Sequence, residues 1–262
     1  MIQREALLAY LEDLLNVGAF ADYAPNGLQV EGRGEVKKIV GGVTACQALV
    51  DAAVERGADA LLVHHGYFWK GESPCVIGIK QRRLKALLAA DINLLAYHLP
   101  LDAHPMLGNN AQLANLLGLQ REGSFGSGDG GEKAGPDIGQ YGRLAEPQSA
   151  QSFAALLAEK LGRTPLFIAG NGSGGAASEI RTIAWCSGAA QGYIEQAVRL
   201  GVDAFLTGEI SEQTVHIARE QGIHFFSAGH HATERGGVQA LGTHLAARFD
   251  VEFEFVDIDN PV

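Results

Sequence analysis

The sequence predicts an α/β protein built from two similar halves. Three features carry that expectation: short β-rich runs alternate with helical stretches, a 31-residue segment recurs 144 positions later, and glycine concentrates between the two copies. Leu7, Leu8, Leu11, Leu14 and Leu15 recur at helical spacing and predict a helix over 4–16. A strand over 38–44, a helix to Arg56, a strand over 59–63, a helix from about Ile79 to Ala90 and a strand from Ile92 to Tyr97 follow. This is the pattern of βαβ units around a buried, largely parallel sheet.

The recurrence is specific. VKKIVGGVTACQALVDAAVERGADALLVHHG (36–66) aligns without a gap with IRTIAWCSGAAQGYIEQAVRLGVDAFLTGEI (180–210), and nine of thirty-one pairs are identical. Gly57/Gly201 and Asp59/Asp203 match at the helix-to-strand turn, beyond the apolar positions that any two such units share. An internal duplication with pseudo-twofold symmetry is therefore predicted. Eight glycines lie within 123–142, a composition that builds no core and reads as a surface loop or β-ribbon. The expected division is a first α/β half over 1–122, a glycine-rich connector over 123–143 and a second half over 144–262, interlocked with the first. A further glycine cluster at 169–178 reads as a loop, with no phosphate-binding lysine after it.

Twenty Lys and Arg against thirty Asp and Glu leave a formal charge of −10, which repels polyanions and argues against a nucleic-acid partner. The apolar runs are only a few residues long, far below the ~20 a membrane span needs. Arg4, Glu5, Glu12 and Asp13 interrupt the N-terminal apolar pattern, so it reads as a helix and not as a signal peptide. Cys46, Cys75 and Cys186 stand far apart without CxxC spacing, which argues against a thiolate zinc site and fits a cytoplasmic protein.

The histidines carry the chemistry. His64 and His65 stand at the exit of a buried strand, and as neighbours in an extended chain they reach one site only if the strand ends there. His98-Leu99-Pro100-Leu101-Asp102 and His230-His231-Ala232-Thr233-Glu234 are both HxxxD/E segments that follow apolar runs, INLLAY and IHFFSA. All lie where open α/β sheets place their ligands, at the C-terminal ends of strands. Three imidazoles (His64, His65, His230) and two carboxylates (Asp102, Glu234) exceed the three protein ligands of a single catalytic zinc and suit a pair of first-row ions. Such nitrogen and oxygen donors accept Zn, Mn, Fe, Co or Ni. Metal-assisted hydrolysis is the reaction class that follows.

PNGLQVEG (25–32), LLVHHGYFWKG (61–71), YHLPLDAH (97–104), LGNNAQLA (107–114), TGEISEQ (207–213) and GHHATERGG (229–237) resemble the motifs of the NIF-three-like dinuclear metal proteins, often named GTP cyclohydrolase 1 type 2, in their short bacterial form. The resemblance implies duplicated three-layer α/β/α halves, no inserted extra domain, and a homohexameric ring. It also implies two divalent ions per chain on His64, His65, Asp102, His230 and Glu234, with Glu234 as the bridge. The implied function is a metal-dependent hydrolase in which metal-bound hydroxide acts on a nucleotide-like, phosphorylated or cyclic amide substrate. The alternative is a non-catalytic metal-binding regulatory or scaffold ring.

His98 is the candidate catalytic residue, as a general base or as a donor of its ring N–H to a ligand carboxylate. His104 belongs to the site or to the surface. Tyr67, Phe68 and Trp69 stack a purine or fill an interface, and Glu209, aligned with His65, is a candidate wall of the cavity.

Overall fold

The computed structural model describes residues 1–126, 135–171 and 178–262, so parts of both glycine-rich stretches lie outside the described residues. The chain opens with β1 (Ile2–Gln3), α1 (Arg4–Leu15), β2 (Gly27–Val30), β3 (Glu35–Val36), β4 (Lys38–Thr44), α2 (Gln47–Glu55) and β5 (Ala60–His65). It continues with α3 (Gly78–Ala89), β6 (Asn93–Ala96), α4 (Leu99–Ala103), α5 (Asn109–Leu117), β7 (Leu119–Phe125), β8 (Gly139–Ser149), α6 (Ala150–Leu161), β9 (Leu166–Ile168) and β10 (Glu179–Trp185). The remaining elements are α7 (Ile194–Leu200), β11 (Ala204–Thr207), α8 (Glu212–Gln221), β12 (His224–Ser227), α9 (His230–Phe249) and β13 (Glu252–Phe255).

The chain forms two units: residues 1–108 with 235–259, and residues 109–234 with 260–262. In the first, the strand order is β13-β4-β5-β6-β2, parallel except for β2, which runs antiparallel to β6. Alternation along the strands sends Leu61 and Val63 against Leu49, Val50 and Ala53 of α2 and Leu84 and Leu87 of α3. Ala60 and Leu62 face the other way, onto Leu7 and Leu11 of α1 and Val238, Leu241 and Leu245 of α9. Two buried faces on one sheet explain why β5 reads as a continuous apolar run.

The second unit has the order β7-β8-β10-β11-β12-β9. Its β10, β11 and β12 are parallel and β9 is antiparallel to β12, which reproduces the arrangement of β4, β5, β6 and β2. Ala204 and Leu206 pack with Leu113 and Leu117 of α5 and Phe153 and Leu157 of α6, while Phe205 packs with Ile194 and Ala197 of α7 and Ala218 of α8. Each unit is thus a three-layer α/β/α sandwich.

The duplicated turn residues make the same contacts in each unit. Asp59 Oδ2 accepts from the backbone N–H groups of Lys37 and Lys38 (2.8 and 2.9 Å), and Asp203 Oδ2 accepts from those of Arg181 and Thr182 (2.9 and 2.8 Å). Each aspartate ties the start of its strand to the start of the neighbouring one. Asp59 is buried, so Asp59→Ala strands two backbone donors and is expected to lower unfolding free energy by about 2–4 kcal/mol in urea titrations. Asp59→Asn, which keeps a carbonyl acceptor, is expected to cost less.

Packing divides the chain differently from glycine content. Residues 109–122 belong with the second unit rather than to a first half of 1–122, because Leu113, Leu117 and Leu119 join its core. The end of the chain does not stay in a second half of 144–262: β13 pairs in parallel with β4, Glu252 opposite Lys38. The connector expected over 123–143 is a β-ribbon at its described ends, β7 antiparallel to β8.

Candidate metal centre

In the first unit the tandem histidines close β5. The strand does not stop before them: it runs through His65, because β4 extends one rung further and pairs Thr44 with His65. The two rings nonetheless meet, with centroids 4.5 Å apart. His64 is fully buried and its Nδ1 lies 2.9 Å from the Tyr97 carbonyl oxygen; His65 Nδ1 lies 3.1 Å from Thr44 Oγ1. Asp102, buried on α4, brings Oδ1 to 3.5 Å from His64 Nε2. His98 joins this cluster at the start of α4, its ring centroid 5.1 Å from His64 and 5.5 Å from His65. One side-chain nitrogen from each of His64, His65 and His98 lies within 4.8 Å of the others, close enough to share an ion.

In the second unit α9 begins at His230, as the i, i+4 spacing requires, and places Glu234 Oε2 3.2 Å from His230 Nε2. Glu209, just after β11, brings Oε1 to 2.7 Å from His230 Nδ1. Burial pushes the His230 pKa down, but Glu234 and Glu209 outweigh it and raise it to about 9. Two carboxylates around one imidazole make a negative pocket that favours a cation.

Gly188 makes room for this pair. Its φ is +68°, and a Cβ there would stand 2.2 Å from Glu234 Oε1 and 3.2 Å from His230 Nε2. Its N–H donates to Thr233 Oγ1 (3.0 Å) and its carbonyl accepts from the Gly208 N–H (2.9 Å).

One pattern unites the four rings. His64, His65, His98 and His230 each commit Nδ1 to an oxygen: a backbone carbonyl, a hydroxyl, and the carboxylates of Asp22 and Glu209. At Nε2, His64 faces Asp102 Oδ1 (3.5 Å) and His230 faces Glu234 Oε2 (3.2 Å), so imidazole and carboxylate converge in each unit while the outer partner at Nδ1 orients the ring. This chemistry fits borderline first-row divalent ions, as does a donor set of imidazole and carboxylate without thiolate. The structure therefore places His64, His65 and Asp102 together, and separately His230 with Glu234. Thr44, Asp22 and Gly188 escaped the sequence reading. Thr44 and Gly188 occupy aligned positions of the repeat, the one signal that pointed to them.

Other candidates resolve as neighbours. His98 hands its ring N–H to Asp22 rather than to Asp102 (2.7 Å). Glu209 is the carboxylate behind His230. His104 Nδ1 accepts from the backbone N–H groups of Met106 and Leu107, and burial lowers its pKa. Trp69 sets its ring edge-to-face on His98 at 5.1 Å, and Tyr67 is buried with its hydroxyl donating to the Ala45 carbonyl (2.8 Å). No helix among the described residues is long and apolar enough to cross a membrane.

His224, buried at the start of β12, accepts from the Gly170 N–H at Nδ1 (3.3 Å) and pairs with the Ser178 hydroxyl at Nε2 (2.6 Å). Burial lowers its pKa below the ordinary 6.5, despite the opposing charge of Asp203. A histidine whose folded pKa is depressed contributes stability that is complete above the unfolded value and is lost as pH falls below it. Chemical denaturation at a series of pH values is expected to show a decline beginning near pH 6.5 that His224→Gln reduces.

Two α/β/α units bearing imidazole and carboxylate donors at the C-terminal ends of parallel strands define a candidate metalloprotein of the α/β class. Residues 2–261 match the family Duf34/NIF3 (NGG1p interacting factor 3), and the chain belongs to it. It is 57% identical over 261 residues to a Pseudomonas aeruginosa protein called GTP cyclohydrolase 1 type 2 homolog, covering 99% of each chain. An Escherichia coli protein of the same name is 54% identical over 251 residues, with 96% of each covered. Among solved structures, one described as protein ybgI of unknown function superposes with a TM-score of 0.93 at 51% identity, and TTHA1606 from Thermus thermophilus with 0.87 at 35%; both matches cover 100% of each chain. These full-length matches agree with a fold that has no inserted domain.

Proposed function

We propose that this protein binds two divalent metal ions and is a metal-dependent hydrolase of a nucleotide-like, phosphorylated or cyclic amide substrate. His64, His65 and Asp102 of the first unit and His230 and Glu234 of the second are the ligands. The carrying observation is the pairing of imidazole with carboxylate in each unit, His64 Nε2 with Asp102 Oδ1 at 3.5 Å and His230 Nε2 with Glu234 Oε2 at 3.2 Å, while an outer oxygen holds Nδ1 of His64, His65 and His230. The name shared by the bacterial relatives supports the substrate class.

Bound there, divalent ions supply Lewis acidity to a phosphoryl or carbonyl oxygen and make water more acidic. The chain's own residues do the positioning. The Tyr97 carbonyl and the Thr44 hydroxyl hold His64 and His65, Glu209 holds His230, and Trp69 packs against the His65 and His98 rings. His98 offers Nε2 to a proton of the substrate or of water. Assembly into a homohexameric ring belongs to the same reading and is checked by light scattering.

Elemental analysis of protein purified without chelator or histidine tag is expected to find two equivalents of a first-row ion. Metal-reconstituted protein is then expected to turn over a member of a panel of nucleotides and phosphoesters. Absence of turnover with every metal, together with a change of assembly on metal removal, overturns the hydrolase in favour of a metal-binding scaffold.

A further inference from the structure

The loop before β2 reaches the start of α4 through two side chains. Asp22, whose side chain is only 3% exposed, accepts at Oδ1 from His98 Nδ1 (2.7 Å) and at Oδ2 from the Leu99 N–H (3.0 Å) and the Asn26 amide (2.9 Å). Asn26 Oδ1 in turn accepts from the His98 backbone N–H (2.7 Å). His98 is thus gripped at its main chain by Asn26 and at its ring by Asp22, 76 residues away in sequence.

An ionised carboxylate only accepts hydrogen bonds, so its partner nitrogen must carry the proton. Burial opposes ionisation of Asp22, yet the hydrogen bonds from His98 and Asn26 hold its pKa at about 2. Free imidazole in a neutral histidine prefers the other tautomer, with hydrogen on Nε2. The clamp therefore reverses an intrinsic preference beside the His64–His65 pair.

We propose that Asp22, held by Asn26, is a positioning residue that fixes His98 as the Nδ1–H tautomer, so that the Nε2 lone pair faces the reacting group as a hydrogen-bond acceptor. This rests on the reading of the site as a metal-dependent hydrolase, but the tautomer itself is open to measurement without metal or turnover.

Long-range proton–nitrogen NMR on histidine-labelled protein tests it, with the His98 signals assigned through His98→Gln. In the unsubstituted protein, stripped or loaded with zinc, His98 is expected to show a protonated Nδ1 and a bare Nε2. In Asp22→Ala the proton is expected to move to Nε2, while circular dichroism and metal content stay unchanged. With any substrate found, Asp22→Ala and Asn26→Leu are expected to lower kcat about 10- to 100-fold with little change in KM. A proton on Nε2 of the unsubstituted protein, or an unchanged tautomer in Asp22→Ala, overturns the proposal. Failure of the hydrolase reading shows instead as a lack of turnover with the tautomer intact.

Discussion

His64→Ala is expected to weaken retention of divalent metal by more than the 10- to 100-fold that loss of an outer partner typically costs. The reason lies in how completely the ring is built in. It is 0% exposed, its Nδ1 is engaged by the Tyr97 carbonyl, and its Nε2 stands 3.5 Å from the buried carboxylate of Asp102. Alanine removes a donor and leaves that carboxylate facing a cavity, so stability is also expected to fall, by about 2–4 kcal/mol in the metal-free protein. Thr44→Val is the graded comparison. It removes only the oxygen beside His65 Nδ1, and the expected loss is about tenfold in affinity. Competition with a chromophoric chelator measures both. Equal affinities for His64→Ala and the unsubstituted protein would remove His64 from the proposed ligand set.

The second large effect comes from Gly188. Gly188→Ala is expected to abolish metal retention at His230 and Glu234 and to match the loss of turnover in Glu234→Gln, although it substitutes none of the proposed ligands. A methyl group there meets Glu234 Oε1 at 2.2 Å, and the residue also sits at φ +68°, where a side chain costs about 1 kcal/mol or more. The carboxylate is 3% exposed and packed in the first turn of α9, so it has little room to retreat. Glu234→Gln keeps the shape and removes the charge, which is expected to cost on the order of 10³ in turnover by analogy with the loss of a single transition-state stabilising group. Elemental analysis and single-turnover assays on the two variants check the prediction. A Gly188→Ala protein with full metal content would show that Glu234 shifts without consequence.

Much of the fold was legible because its elements write their periods locally. The continuous apolar run of β5 and the spacing of Leu7 and Leu11 are set by burial on one sheet, and the recurrence at 144 positions reproduces even the aspartate clamps at 59 and 203. The candidate ligands stand out for a related reason. HxxxD/E becomes meaningful where a strand ends and a helix begins, and that junction shows in the sequence. At the division near 122–144 glycine content is the only local signal: β13 pairs with β4, and pairing between distant strands leaves no local trace.

By itself the sequence determined the α/β class, the 144-residue recurrence and the family, and it offered five candidate residues of types able to hold metal. Only the tertiary structure decided which oxygen each imidazole Nδ1 meets. Those partners are a backbone carbonyl that any residue would offer at position 97, a threonine on the neighbouring strand, a carboxylate 76 residues from His98, and another 21 residues from His230. A hydrogen bond is short and directional, and its partner is chosen by strand order and loop path. Periodicity encodes burial, a property of each residue alone; orientation is a property of pairs that only folding brings within hydrogen-bond distance.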